Sequence, residues 1–138
     1  MSAICQFEDL ESAVLTAQQV IQYGISIARI EMLNKDQMDI SIKYSNLENL
    51  EIKPTLFFEF HGSENSNKES IEIVESISNE NNGSKFKWAK TTEERNKLWQ
   101  ARHNMYYSVK AEKNNIKVYT TDICVPVSYT HLTLPTKA

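Results

Sequence analysis

The order in which strand-like and helix-like periodicities follow one another constrains this chain more than any other feature of its sequence. Short apolar runs predict five strands, at residues 2–7, 25–33, 56–60, 85–89 and 118–125. Apolar residues spaced three and four apart predict helices between them, and the longest covers residues 92–111. The pattern predicts an α+β fold: a ferredoxin-like split βαβ antiparallel sheet with helices on one face, plus a long helix and an extra strand.

Capping residues support two of the predicted helices. Asn34 precedes a short helix that carries Met38 and Ile42, and asparagine is a favoured N-cap. Thr91 is followed three residues later by Glu94, which is the spacing of a capping box. The long helix is therefore expected to begin directly after Thr91.

Composition limits the class of protein. The chain has 138 residues, of which 41% are hydrophobic and 24% are charged, as in a globular domain. A formal net charge of −3 gives no electrostatic basis for nucleic-acid binding. No stretch approaches the roughly 18 apolar residues of a membrane-spanning helix, so we expect no transmembrane segment. Cys5 and Cys124 lack a CxxC spacing and lie in apolar runs, which predicts free, buried thiols in a reducing compartment.

Arg102 lies in the middle of an apolar helical stripe. Four apolar residues share one face of the long helix, at about 100° per residue: Leu98, Met105, Tyr106 and Val109. Arg102 projects from the centre of that face. Burial of an unpaired guanidinium is costly, so we expect it to meet a carboxylate, a carbonyl cluster or an anionic ligand. An internal ion pair with Glu59 or Asp122 is the structural alternative to a ligand.

Five runs of residues resemble, in order and spacing, the C-terminal domain of FAD-linked oxidases. They are ARIEMLN (28–34), PTLFFEFHGS (54–63), FKWAK (86–90), ERNKLWQARHNMYYS (94–108) and YTTDICVPVS (119–128). Within that family they are most similar to the mitochondrial, cytochrome-linked D-lactate dehydrogenases, which resemble vanillyl-alcohol-oxidase-type flavoproteins. The resemblance covers nearly all of residues 3–128 and implies that residues 1–127 are part of a substrate cap domain.

The resemblance implies a fragment of an FAD-dependent, mitochondrial enzyme that oxidises D-lactate to pyruvate, with a hydride passing to the flavin and cytochrome c as electron acceptor. By the family's pattern, the arginine of the W-x-A-R-H run binds the substrate carboxylate, and that residue is Arg102 here. His103 follows it as a second substrate-binding candidate. Thr121 and Asp122 lie where the family brings a strand close to the flavin, although both also fit a strand end whose aspartate caps nearby backbone. No residue of the fragment is predicted to be catalytic, and the fragment alone is expected to be inactive.

Cofactor groups are expected to lie mainly outside this chain. The family binds FAD mainly through an N-terminal domain, and this chain has no glycine-rich phosphate loop among its three glycines. The family's divalent-metal ligands belong to a later segment with a Gly-Asp-Gly core, which does not occur here. His61, His103 and His131 have no ligand spacing among them, so we predict no metal site. His61 is instead expected to be a buried, hydrogen-bonded core histidine.

The last residues depart from the family's pattern. From about Ser128 the sequence reads SYTHLTLPTKA, where family members continue into further helix and strand. We therefore expect residues 128–138 to be a non-native tail.

Two functional alternatives stay open. The first is another substrate of the same class, as in D-2-hydroxyglutarate dehydrogenases or glycolate oxidase subunits. Dicarboxylate-binding members tend to place a lysine where this chain has Thr120 or Thr121, so the sequence favours a small monocarboxylate. The second alternative is a non-catalytic ferredoxin-like binding module, in which Arg102 would hold an effector or an internal carboxylate.

Overall fold

The computed structural model describes residues 1–112, 115–121, 124, 126, 128 and 129. Within them the chain forms four strands and five helices. In chain order these are β1 (Ser2–Gln6), α1 (Leu10–Gln22), β2 (Arg29–Leu33), α2 (Lys35–Ser45), β3 (Thr55–Glu59), α3 (Glu64–Glu80), β4 (Lys87–Ala89), α4 (Thr92–His103) and α5 (Met105–Glu112).

The four strands form one antiparallel sheet in the order β2-β3-β1-β4. Ser2 of β1 lies opposite Glu59 of β3 on one side and opposite Ala89 of β4 on the other. Arg29 of β2 lies opposite the same Glu59. This strand order, with α1 and α3 as the crossover helices, confirms the predicted α+β class and the split βαβ arrangement.

The first face of the sheet packs against α1 and α3. Its core consists of Cys5, Phe7, Ala13, Val20, Leu56, Phe58, Phe60, Val74 and Ile77. The two crossover helices contact each other as well as the sheet, so they share one face as predicted.

The second face is also covered by helices, which the sequence prediction did not include. Ile4, Leu33 and Phe57 point to this face and pack with Met38 of α2 and Met105 of α5. Every residue of β1 and β3 is buried, so the two central strands present apolar side chains on both sides. Such a sheet needs a helical layer on each face. The helices predicted on one face are α1 and α3, and α2, α4 and α5 form the layer on the second face.

The predicted long helix is two helices, α4 and α5, which meet at Asn104. Both predicted caps, Asn34 on α2 and Thr91 with Glu94 on α4, are confirmed as capping boxes. Asn104 ends α4, and its side-chain oxygen accepts a hydrogen bond of 2.9 Å from Nε2 of Gln100. Asparagine side chains can also compete with the backbone for hydrogen bonds, so asparagine is favoured at helix ends over helix interiors.

The predicted fifth strand is not confirmed in the described residues of that stretch. Residues 118–121 and 124 belong to no strand, and the rest of residues 118–125 lies outside the described residues. Tyr119, Thr120 and Thr121 are all exposed, so this stretch lacks the one-sided burial that pairs a strand with a sheet. Cys5 is free and buried as predicted, whereas Cys124 is free but exposed.

Candidate functional site

The outer part of the second face carries a stripe of three side chains from α4. Arg95, Trp99 and Arg102 are spaced by four and three residues, so they follow one line along the helix at about 100° per residue. Trp99 packs against the second-face core, which directs this line toward the sheet. The capping box at Thr91 and Glu94 fixes where the helix begins and therefore which side of the helix the stripe lies on.

Glu59 anchors the first end of the stripe. Its carboxylate is buried, and its Oε1 lies 3.7 Å from Nη1 of Arg95 while its Oε2 lies 3.4 Å from Nη2 of Arg29. A buried carboxylate needs opposite charge nearby, and the two guanidinium groups supply it. Glu59 therefore ties β2, β3 and α4 together.

Trp99 occupies the middle of the stripe. The guanidinium carbon of Arg29 lies 4.3 Å from the centroid of its ring, and the ring centroid of Phe57 lies 6.1 Å away. Its indole Nε1 donates a hydrogen bond of 3.1 Å to Oγ of Ser2. The aromatic face thus supports a cation, while the polar edge fixes the ring to β1.

Arg102 lies at the second end of the stripe, beside Glu31 of β2. Its Nε is buried and lies 2.8 Å from Oε2 of Glu31, but without the angle of a hydrogen bond. Neither Nη nitrogen makes a hydrogen bond to any described residue. The side chain remains 34% exposed, so Glu31 contacts one edge of the guanidinium and leaves the other edge available.

Among the described residues, the internal partner of Arg102 is Glu31 and not Glu59, one of the two partners predicted. Glu59 pairs with Arg29 and Arg95 instead, and Asp122 lies outside the described residues. The reason lies in the strand register. Arg29 sits directly opposite Glu59, whereas Glu31 is two residues further along the same face of β2 and reaches the last turn of α4.

The five charged residues together form an arginine cluster, which we define as Arg29, Arg95, Arg102, Glu31 and Glu59. Three cations and two carboxylates leave these residues with a formal excess of one positive charge, 3 − 2 = +1. A partly exposed guanidinium with unused N–H donors in such surroundings is suited to binding one carboxylate.

The other predicted site residues lie apart from this contact or outside the described chain. His103 is exposed at the end of α4, about 100° around the helix from Arg102. Thr121 is exposed, and Asp122 is not among the described residues. The prediction for His61 is wrong, because its side chain is 72% exposed, with Nε2 3.8 Å from Oε1 of Glu59. His61 lies two residues beyond the end of β3, directly after the buried Phe60, where the chain leaves the core.

The described residues offer neither a metal-ligand group nor a dinucleotide cradle. Within that part of the chain no three His, Cys, Asp or Glu side chains are grouped to hold a metal ion. Gly62 precedes α3, but Oγ of Ser66 lies 2.7 Å from where its Cβ would be, and no second glycine accompanies it in that turn. The residues therefore do not fit the phosphate-binding part of FAD.

Sequence reasoning missed four members of the site: Arg29, Glu31, Arg95 and Trp99. The spacing of Arg95, Trp99 and Arg102 was a usable signal, since it marks a second stripe beside the apolar one. The pairing of Arg29 and Glu31 with that stripe depends on contacts between distant parts of the sequence, and no local pattern encodes it.

The described residues form an α+β domain that carries a partly exposed cluster of three arginines and two glutamates. The chain belongs to the family described as FAD linked oxidases, C-terminal domain, whose model matches residues 1–133. In the described chain, no helix is both long and apolar enough to pass through a bilayer.

Several relatives carry names from one class of enzyme. The chain is 42% identical over 128 residues to "Probable D-lactate dehydrogenase, mitochondrial" of Danio rerio, covering 93% of this chain and 26% of the relative. It is 34% identical over 127 residues to "D-lactate dehydrogenase [cytochrome], mitochondrial" of Arabidopsis thaliana, covering 92% and 22%. A third relative, "D-lactate dehydrogenase [cytochrome] 1, mitochondrial" of Saccharomyces cerevisiae, is 29% identical over 133 residues, covering 91% and 23%. The chain thus spans about a quarter of the length of these relatives.

Proposed function

We propose that this chain is part of an FAD-dependent D-2-hydroxy-acid dehydrogenase that oxidises D-lactate to pyruvate, and that Arg102 binds the substrate carboxylate. The observation that carries this proposal is the state of the Arg102 side chain. Its Nη nitrogens donate to no described residue, and it is one-third exposed within a cluster that has one excess positive charge. The relatives named D-lactate dehydrogenase supply the substrate class.

A carboxylate matches the unused edge of this guanidinium. Two parallel N–H donors can meet the two carboxylate oxygens, which fixes both the position and the plane of the bound acid. Each charge-assisted hydrogen bond contributes about 1.5–3 kcal/mol. That is enough to orient a small 2-hydroxy acid, and His103, exposed on the adjacent side of the same helix end, is proposed as a second contact.

The redox chemistry is assigned to FAD held by another part of the protein. The family's description names FAD, and the described residues do not fit its phosphates. The flavin would accept the hydride, and this chain would hold the acid and keep it oriented. Thr121 and Asp122 are proposed to face the cofactor. Cytochrome c is proposed as the acceptor and the mitochondrion as the location, and the names of two relatives contain the words cytochrome and mitochondrial.

The boundaries of the domain stay a prediction. We propose residues 1–127 as part of the substrate cap domain and residues 128–138 as a non-native tail. The family model matches as far as residue 133, which includes the first residues of that segment. Comparison of the transcript with genomic DNA across codon 128 tests the boundary, and an uninterrupted genomic match to the last codon would refute the tail.

The arrangement of the cluster favours a monocarboxylate over the alternatives. A dicarboxylate such as D-2-hydroxyglutarate needs a second cation, and Arg29 and Arg95 are both paired with the buried Glu59. A non-catalytic binding module would have the same fold, so a measurement of turnover by the full-length protein distinguishes the module from an enzyme.

The test is steady-state turnover by the full-length protein with D-lactate and with D-2-hydroxyglutarate. We expect preference for D-lactate. Arg102→Ala should lower kcat/KM at least about ten-fold, because it removes charge-assisted bonds to the carboxylate, while FAD content stays unchanged. Lys97→Ala, on the exposed surface of the same helix, is the control and should leave kcat/KM unchanged. Unaltered kinetics in Arg102→Ala would return Arg102 to a structural role.

A further inference from the structure

We propose that Glu31 is a positioning residue, which holds the Arg102 guanidinium in the orientation that accepts the substrate. This inference rests on the proposed function, because it assigns Glu31 a role only through Arg102. The contact itself is the 2.8 Å approach of Glu31 Oε2 to Arg102 Nε.

Glu31 is placed where it can restrict the movement of the Arg102 side chain. It lies in β2, where it pairs in register with Phe57 of β3, and Phe57 is buried in the second-face core. Its own side chain is 31% exposed, so it lies at the boundary between core and solvent. A carboxylate carried by a paired strand has little freedom to move, in contrast to one on a loop.

The geometry divides the guanidinium into two edges. Glu31 lies against Nε, the buried nitrogen nearest the helix, and the two Nη nitrogens at the far end remain without a hydrogen-bonded partner among the described residues. A second carboxylate can therefore bind at the far end without displacing Glu31. An arginine fixed in advance loses less rotamer freedom when its ligand binds, which is the advantage of preorganisation.

The charge balance supports the same conclusion. Arg102 lies in the last turn of α4, where the free backbone carbonyl groups favour a cation. Arg29, two residues before Glu31 on the same face of β2, is already paired with Glu59. Without Glu31, the guanidinium would be free to turn toward other acceptors. With it, the side chain is held, and the excess positive charge of the cluster lies nearby with Arg29 and Arg95, which share the one carboxylate of Glu59.

A double-mutant cycle in the full-length holoenzyme tests the proposal. The variants are Glu31→Gln, Arg102→Ala and their combination, with kcat/KM for D-lactate, FAD content and melting temperature measured for each. We expect Glu31→Gln to lower kcat/KM about ten-fold, since misplacement of about 1 Å can cost up to about 100-fold. In the Arg102→Ala background, the same substitution should change kcat/KM less than about two-fold, because the residue it positions is gone. Glu31→Asp, which keeps the charge and shortens the side chain, serves if Glu31→Gln does not fold.

Asp39→Asn is the matched control. The Asp39 side chain is 33% exposed, close to that of Glu31, and its Oδ2 also lies 2.8 Å from a cation, Nζ of Lys43. We expect this substitution to leave kcat/KM unchanged. A similar loss in both variants would mean that removal of any such ion pair disturbs the enzyme, and the proposal would fail.

The outcomes separate this inference from the proposed function. If Arg102→Ala lowers kcat/KM and Glu31→Gln does not, the positioning role is wrong and the substrate role of Arg102 stands. If Glu31→Gln has the same effect with and without Arg102, Glu31 acts by another route and the inference is wrong. If Arg102→Ala itself has no effect, the proposed function fails and the role of Glu31 fails with it.

Discussion

The guanidinium of Arg29 lies over the ring of Trp99, with its carbon 4.3 Å from the ring centroid. This contact joins β2 to α4 in the middle of the arginine cluster, and Nε1 of the same Trp99 donates to Ser2 of β1. One aromatic side chain thus connects an edge strand, a central strand and the helix that carries Arg102.

Trp99→Phe should destabilise the fold by about 1–2 kcal/mol. The substitution removes the hydrogen bond to Ser2, which contributes about 1 kcal/mol, and weakens the cation–π contact with Arg29. Urea denaturation followed by circular dichroism measures the loss. Trp88→Phe, at a partly buried tryptophan on the first face, is the control for ring size. Equal losses in the two variants would show that ring volume, and not these two contacts, matters at position 99.

Glu59→Gln should also destabilise the fold, by about 1–2 kcal/mol. The buried carboxylate balances Arg29 and Arg95, and the amide leaves both guanidinium groups without that charge. The two arginines are nearly half exposed, so solvent screening limits the effect. Glu51→Gln, which neutralises an exposed partner of Lys53, should leave the denaturation midpoint unchanged. A Glu59→Gln midpoint equal to that of the unaltered chain would contradict the prediction.

Gly83→Ala should cost about 1–3 kcal/mol through overpacking. An added Cβ would lie 2.7 Å from Sγ of Cys5, 2.8 Å from the carbonyl oxygen of Ser78 and 2.9 Å from Cε1 of Phe7. Two of these neighbours are buried core side chains and the third is backbone, so none can move aside freely. Calorimetric melting of the variant measures the cost.

Gly24→Ala provides the comparison for the glycine prediction. No atom lies within 4 Å of its would-be Cβ, but its φ is +67°, so the substitution tests backbone strain without crowding. We expect a cost of about 1 kcal/mol. A Gly83→Ala variant that melts no lower than Gly24→Ala would show that the packing around Cys5 relaxes.

Stability should fall between pH 9 and pH 11 because of Cys5. Burial raises the pKa of this thiol from 9.0 to about 11. The folded state therefore keeps its proton where the unfolded state has lost it. The stabilisation is fully present below pH 9 and is lost as pH rises toward 11, at roughly 1.4 kcal/mol per pH unit.

Comparison with Cys5→Ala isolates that contribution from tyrosine and lysine titration. Urea midpoints at several pH values from 8 to about 11 should decline more steeply for the unaltered chain than for the variant. Equal declines of the urea midpoint in the unaltered chain and in Cys5→Ala would show that the Cys5 thiol ionises alike in the folded and unfolded states. At pH 8, a thiol reagent should label the exposed Cys124 well before Cys5.

Local patterns predicted the parts of the structure that depend on neighbouring residues. The alternation of Leu56, Phe58 and Phe60 identified β3, and the spacing of Thr91 and Glu94 identified the start of α4. Both signals arise within a few residues, so tertiary contacts did not need to be known.

Features that depend on long-range contacts were not predicted. Phe57 alternates with Leu56 and Phe58, but the sequence does not reveal that α2, α4 and α5 cover its side of the sheet. The register that sets Glu31 beside Arg102 joins residues about seventy positions apart. Electrostatics alone predicts that Arg102 needs a partner, but the sequence does not show which carboxylate that partner is.

Among the strands of the described chain, β2 lies at an edge of the sheet, and it carries both Arg29 and Glu31. An open edge can recruit a strand from another molecule and begin aggregation, and charged side chains on the edge discourage that pairing. We therefore expect Arg29, which lies over Trp99, and Glu31, which contacts Arg102, also to discourage self-association through β2. Variants that neutralise Arg29 and Glu31 together should be watched for precipitation during purification, separately from any change in ligand binding.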